Sequence, residues 1–424
     1  MNQIPNSRLT IVRVFSDILF RGKTVEEALQ RHTAMHDAFV KAHVYGLCRW
    51  YFRLDAVASK LLKKPLKSKD MDVYILILLG IHQIWHSPIK PHALVNEVVS
   101  VADLIKKPWA KGVLNACLRR VLREKTAWLD AQYPSHPAWM MEHIKKAWPD
   151  DWVAIIAAND VQAPMTLRIN TQRDHEAILA DLQPLAVRVR SHSGGASMCL
   201  YLSSPLGVHD IPGFSAGVVS VQDEASQYVA ALLQLRSGDV VLDACSAPGG
   251  KTGHMLELQP AIRLTACDIS DMRLEKVKEN LERLGVEKEV VYHVCDVTQY
   301  DWDGEVFDKI LLDAPCSGSG VIRRHPDIKL LRRESDLRAF SDQQQRLLQA
   351  LWPALKKGGK LLYTTCSIMP EENEGVIKEF LKHHDDADIP SIQLSIGVPQ
   401  ERGWQCFPQV GGHDGFYYCL IEKT

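Results

Sequence analysis

Apolar residues recur at helical spacing through the first third of the chain. In RLTIVRVFSDILF, Leu9, Val12, Phe15 and Leu19 fall on one stripe, and VNEVVSVADLI repeats the spacing with Val95, Val98, Val99 and Ala102. The breakers KKP (Lys63–Pro65), SPIKP (Ser87–Pro91) and KKP (Lys106–Pro108) separate these segments, so residues 1–140 read as an all-helical domain. Pro134, Pro137 and Pro149 mark a boundary, and residues 141–235 mix a helical HEAILADLQPL with short strand-like runs such as MTLRIN. That pattern predicts a small α+β linking domain with no chemistry of its own. In 236–424 the pattern changes again. VVLDACSAP, AIRLTACDIS, EVVYHVCD, FDKILLDAPC and GGKLLYTTCS alternate with helical stretches such as DMRLEKVKENLERLG and SDQQQRLLQALWPAL. Near-continuous apolar strands between helices predict an α/β domain with a doubly wound, mostly parallel sheet covered on both faces.

Length and composition, 424 residues with 46% hydrophobic and 24% charged, fit an ordinary soluble globular protein of two to four domains. Charge changes the picture once the chain is divided. Residues 1–140 hold 12 Lys and 9 Arg against 11 Asp and Glu, a net of +10, whereas the remaining 284 residues carry −11. Such asymmetry points to a polyanion near the N-terminal domain, and KKPWAKGVLNACLRR is a candidate phosphate-contacting face; a solvated basic surface is the plain alternative. The ten cysteines form no C-x-x-C pair, which argues against a zinc ribbon or a thioredoxin-like motif. Free thiols, no signal-like N-terminus and an apolar run (Val73–Ile81) too short to span a bilayer together predict a cytoplasmic protein with no membrane partner.

Candidate chemistry sits where strands end, the place where ligands bind such sheets. DACSAPGGKT (Asp243–Thr252) carries a Gly pair between strand and helix, but it is neither G-x-G-x-x-G nor a complete Walker A pattern. Asp268, about twenty residues on, stands where an acid bonds a ribose diol, and Asp296 ends the following strand where it can receive an adenine amino group. Gly loop, ribose acid and base acceptor suit an adenosine-containing ligand such as S-adenosylmethionine. Each acid alone also fits an ordinary helix N-cap. Cys316 and Cys366 follow two further strands, and if those are neighbours both thiols reach one crevice. No ligand spacing supports a metal, and nothing in the 50 residues between them supports a redox pair. Nucleophilic catalysis remains: a thiolate adding at carbon 6 of a pyrimidine makes carbon 5 reactive toward a methyl donor. Asp313, three residues before Cys316, can pair with ring nitrogen 3.

DACSAPGGKT, LLDAPCSGSGVIRRHPD and YTTCSIMPEENE together resemble the RsmB and NOL/NSUN family of RNA 5-methylcytosine methyltransferases, and APMTLRIN, VQDEAS and DGFYYCLIEK extend the likeness through most of the chain. The basic helical segment is similar to the NusB-like RNA-binding domain of that family. The resemblance implies a class I (Rossmann-like) methyltransferase domain and transfer from S-adenosyl-L-methionine to carbon 5 of one cytidine of small-subunit ribosomal RNA. It implies Cys366 as the attacking thiol and Cys316 as the one assisting release. Cofactor contacts carry over to Cys245, Ser246, Ala247, Pro248, Gly249, Gly250 and Lys251, and to Asp268, Asp296 and Asp313, with Lys251 supporting the loop or a carboxylate. Ser246 stands where the family often has Ala.

VIRRHPDIKLLRR is strongly basic within an acidic domain, and Arg323 and Arg324 are candidates for phosphate contact against a solvated-face alternative. His325 reads as structural, and His413 and Asp414 either line the crevice or pack around Phe416. The expected enzyme acts as a monomer without metal, on a hairpin-loop cytidine that is cheap to unstack. Two rival readings are a DNA cytosine-5 methyltransferase attacking with Cys316, and a non-catalytic RNA-binding or antitermination factor on a methyltransferase scaffold.

Overall fold

A computed structural model describes residues 6–170, 172–174, 176–191 and 198–424, so that His175 of the helical segment HEAILADLQPL lies outside it. The fold divides into two compact units. One runs to Val161 and also takes in Ile322–Arg333; the other comprises Gln162–Val321 and Glu334–Thr424.

The first unit is helical, with helices at Ser7–Arg21, Val25–Arg31, Ala38–Leu61, Met71–His86, Pro91–Leu104, Ala110–Arg123, Ala138–Ala147 and Trp152–Asn159 among its elements. The helix starts are written locally. Asn6 accepts from the Leu9 amide, Thr24 and Glu27 form a capping box, and Pro91 opens its helix at a position where its missing N–H costs nothing. The short apolar run forms the Met71–His86 helix, buried at every position from Val73 to Ile84. It is the centre of the core, and no helix among the described residues is long and apolar enough to cross a membrane. Val95, Val98, Val99 and Ala102 pack into the same core, as do Val12 and Phe15.

Ile322–Arg333, turns followed by the short helix Ile328–Leu331, is an integral part of this packing. Leu330 and Leu331 lie against the helical core, the Asp327 carboxylate accepts from the Val25 amide at 3.1 Å, and Arg49 donates to the Arg323 carbonyl at 2.9 Å. Lys329 is buried and donates to Asp160 (2.8 Å) and to the carbonyls of Ser135 (3.0 Å) and Arg49 (3.2 Å). Burial pulls the Lys329 ammonium down to about 8 against the pull of Asp160.

The second unit holds two sheets. β1 (Thr166–Ile169), β2 (Ala186–Ser191), β3 (Met198–Leu202) and β4 (Val219–Val221) form an antiparallel sheet in the order β2-β3-β1-β4. The larger sheet contains β5 (Val240–Asp243), β6 (Arg263–Asp268), β7 (Val290–Val294), β8 (Phe307–Asp313), β9 (Leu355–Thr365), β10 (Ala387–Asp388), β11 (Val398–Pro399), β12 (Trp404–Cys406) and β13 (Phe416–Lys423). Its order is β11-β12-β13-β9-β8-β5-β6-β7, with β10 paired to β13. β9, β8, β5, β6 and β7 run parallel, and β13 lies antiparallel on β9. Alternate residues feed opposite faces: Val241, Leu311 and Leu362 join one core, and Leu242, Leu312 and Tyr363 the other. Both faces are covered, which is why these strands read as continuous apolar runs.

Candidate functional site

Parallel neighbours bring their carboxyl ends to one edge. β8 and β9 pair directly, with Asp313 opposite Thr364, so the loop that follows each strand starts from the same level. Cys316 and Cys366 sit in those loops, partly exposed, with their sulfurs 3.3 Å apart. In sheet order, the edge runs from Cys366 after β9, through Asp313 and Cys316 at β8, to the Cys245–Lys251 loop after β5. Asp268 at β6 and Asp296 after β7 follow.

The loop after β5 is held from below. The Ser246 amide and hydroxyl both donate to the Cys267 carbonyl, at 2.8 and 3.0 Å. Thr252 donates to Asp243 at 2.8 Å, while the other Asp243 oxygen is buried with no hydrogen-bond partner among the described residues. Burial pushes the Asp243 carboxyl up to about 7, and the nearby Asp313 adds to the shift. Gly249 starts the Gly250–Leu258 helix at φ +92°, and a side chain there would press on Val277. Only glycine meets both conditions without strain.

Lys251 rises from that helix to Asp313 (2.5 Å) and lies over the Phe416 ring at 5.1 Å from its centre. Burial works to lower the Lys251 ammonium, but the Asp313 charge and hydrogen bond outweigh it and Cys366 adds to them, so the group is held above its ordinary value. The hydrogen bond to Cys366 and then burial raise the Cys316 thiol well above the usual thiol range. Two sulfurs this close hold one negative charge between them more easily than two.

Asp268 is buried and accepts from the Ser270 amide at 3.0 Å, with Arg273 at 3.4 Å from its other oxygen. Asp296 is half-buried and accepts from Thr298 through amide and hydroxyl. The helix after β6 is capped by Ser270, not by Asp268. The donor set fits an adenosine ligand: a loop that carries a Gly pair into a helix start, then carboxylates with oxygen capacity to spare at two successive strand ends. Among the described residues no group of three or more His, Cys, Asp or Glu is arranged to hold a metal ion.

Residues 230–422 match the family described as 16S rRNA methyltransferase RsmB/F. Residues 5–123 match the NusB family, and residues 136–209 the ferredoxin-like domain of RsmF/B-like methyltransferases. The "Probable ribosomal RNA small subunit methyltransferase B" of Coxiella burnetii is 42% identical over 99% of this chain and 100% of its own length. The ribosomal RNA small subunit methyltransferase B of Pseudomonas putida is 43% identical over 99% and 98%. The chain belongs to the RsmB/F 16S rRNA methyltransferase family. Its fold follows that of the crystal structure of PH0851, at a TM-score of 0.78 with 24% identity over 99% of both chains. A methyltransferase homolog from Pyrococcus horikoshii, 27% identical, covers 72% of this chain and 98% of its own at a TM-score of 0.58.

In this RsmB/F chain the basic VIRRHPDIKLLRR segment departs from its expectation. Arg323 and Lys329 are buried within the helical unit instead of facing a phosphate strand; only the partly exposed Arg324 and Arg332 and the exposed Arg333 keep that option. His325 is exposed. His413 and Asp414 are buried, the Asp414 amide donating to Asp223 at 3.0 Å. In KKPWAKGVLNACLRR, Lys107 is paired with Asp70 and Asp72, Lys111 with Asp103, and Arg120 with Glu124, which spends much of the charge available to a phosphate.

Two single residues and one glycine pair escaped sequence reasoning. Arg168, in the centre of β1, donates to Glu257 (2.6 and 2.9 Å), to Gln222 (2.5 Å) and to the Gly250 carbonyl (3.0 Å). The small sheet therefore braces the helix that carries Lys251, and a charged residue inside MTLRIN was the available signal. Gly320 and Gly415 let three backbones converge: the Gly320 amide donates to the Cys366 carbonyl and the Gly415 amide to the Gly320 carbonyl, both at 2.9 Å. A Cβ on Gly320 would collide with the Gly415 carbonyl. The third is Glu372, buried behind both cysteines.

Proposed function

We propose that this chain transfers a methyl group from S-adenosyl-L-methionine to carbon 5 of a cytidine in small-subunit (16S) ribosomal RNA, attacking the base with Cys366. The observation that carries it is the pair of thiols 3.3 Å apart beside the Lys251–Asp313 pair, at the edge of a methyltransferase-type sheet. The names of its relatives support the substrate.

The Cys366 thiolate forms a bond to carbon 6 of the cytosine, and the displaced π electrons make carbon 5 nucleophilic. Asp313 meets ring nitrogen 3, and the Lys251 ammonium bonded to it supplies the positive charge that offsets the negative charge developing on the ring. S-adenosylmethionine supplies an electrophilic methyl group on its sulfonium. The Cys245–Lys251 loop, Asp268 and Asp296 are the residues that would hold it, with Asp268 at the ribose and Asp296 at the adenine. Carbon 5 then loses its proton with assistance from Cys316; that electron pair restores the ring double bond as the carbon–sulfur bond breaks and the Cys366 thiolate returns.

The same reading divides the chain into an RNA-binding helical part (1–140), a linking part (141–235) and a catalytic part (236–424). The test mixes a Cys316→Ala variant with S-adenosylmethionine and protein-free small-subunit RNA on a denaturing gel. An adduct that survives denaturation and disappears when Cys366 is also changed is the expected result. No adduct, with methylation abolished, would make Cys316 the nucleophile. Unchanged methylation would leave Cys316 without a role, and absence of cofactor binding by calorimetry would favour a non-catalytic RNA-binding factor.

A further inference from the structure

We propose that Glu372 is a positioning residue of the two-cysteine site: its buried carboxylate ties the Cys316 and Cys366 loops together and keeps negative charge off Cys316, so that the single thiolate sits on Cys366. The inference rests on the assignment of Cys366 as nucleophile.

Glu372 is fully buried in a short helical turn after β9. One oxygen accepts from the Ser317 amide at 2.7 Å and the Gln344 amide group at 3.4 Å; the other accepts from the hydroxyls of Ser317 at 2.5 Å and Ser367 at 2.6 Å. Each serine directly follows one of the cysteines. The partners can all act as donors, the set that an ionised carboxylate satisfies. Burial raises the Glu372 carboxyl, and these donors pull against it. A second tie runs parallel: Ser319 meets the Ser367 hydroxyl at 3.0 Å and accepts from the Ile368 amide at 2.9 Å. Gln344 also donates to the Pro315 carbonyl at 2.8 Å, bracing the Cys316 loop from the Glu334–Leu351 helix.

Position makes the carboxylate directional. Glu372 bonds Ser317, next to Cys316, through both amide and hydroxyl, but Ser367, next to Cys366, through the hydroxyl alone, and its charge adds to that of Cys366 in raising the Cys316 thiol. On the Cys366 side stands the Lys251 ammonium, held by Asp313. A thiolate at Cys316 would face the Glu372 charge, whereas one at Cys366 faces Lys251. Two chemically identical thiols become unequal through what lies behind each.

The test reads thiol reactivity in the full chain and needs neither RNA nor methyl donor, so it can fail independently of the adduct assay. Cys366→Ser leaves Cys316 as the reporter, and iodoacetamide labelling of its peptide is followed by mass spectrometry from pH 6 to 10. Adding Glu372→Gln, which keeps shape but removes charge, should move half-maximal labelling at least one pH unit lower, about tenfold faster labelling at pH 7.5. Superimposable profiles would overturn the proposal. Glu372→Asp, read if the Gln variant fails to fold, withdraws the charge by one methylene and should shift labelling less in the same direction. No shift, or a shift upward, would overturn it as well.

Discussion

In the helical unit, His82 and His136 are buried and His43 is half-buried among packed helices, and burial lowers all three below the ordinary histidine range. In the sheet unit, Cys316, Cys366, Asp313, Lys251 and Glu372 are gathered at one edge, each within the influence of an opposite charge or a neighbouring thiol. Both units take ionisable groups out of water. The first keeps its histidines neutral, so they act as bulk in a core; the second keeps charges and decides which atom bears them. Burial alone marks neither role. What separates them is whether partners converge on a place that a substrate can reach.

The two units differ most at Cys366. Cys366→Ala should lower methyl transfer by about 10³-fold or more while leaving thermal stability nearly unchanged, checked by tritium incorporation and a melting curve. Arg168→Met asks the reverse. It strips the partner from buried Glu257 and should cost the sheet unit about 3–5 kcal/mol, read by urea unfolding. Acid sharpens the contrast. The three histidines have folded pKa values below their unfolded value near 6.5, so their contribution is complete above that pH and is lost as pH falls through it. Each that stays neutral to pH 5 should cost up to about 2 kcal/mol, seen as earlier loss of helical signal. Asp268→Ala is the smallest effect: cofactor affinity should fall about 10- to 100-fold by calorimetry, with stability little changed.

Much of this was legible in sequence because period and position report directly on burial. The switch from helical spacing to apolar runs marked the parallel strands, and every proposed site residue in DACSAPGGKT, LLDAPCS and YTTCS lies at a carboxyl end because ligand loops occupy those ends. Glu372 was hidden because a buried carboxylate and a solvated one look alike in PEENE. Its meaning depends on Ser317, 55 residues earlier, reaching it across two strands. The burial of Arg323 and Lys329 is hidden for the same reason. A run of cations looks like a nucleic-acid surface until the two carbonyls and the carboxylate that hold Lys329 are seen.

The excursion of Ile322–Arg333 also bears on how such a protein can be taken apart. The chain enters the helical unit once at its beginning and again just after the Cys316 loop. A gene truncated before residue 162 would not release a free-standing enzyme. It would carry Leu330 and Leu331 into solvent and strip Lys329 of Asp160 and of the Arg49 and Ser135 carbonyls. A designer wishing to graft the catalytic half onto another RNA-reading module would have to redesign that twelve-residue stretch as well. The chain stitches the two units, crossing from one to the other more than once, where a single linker would merely join them.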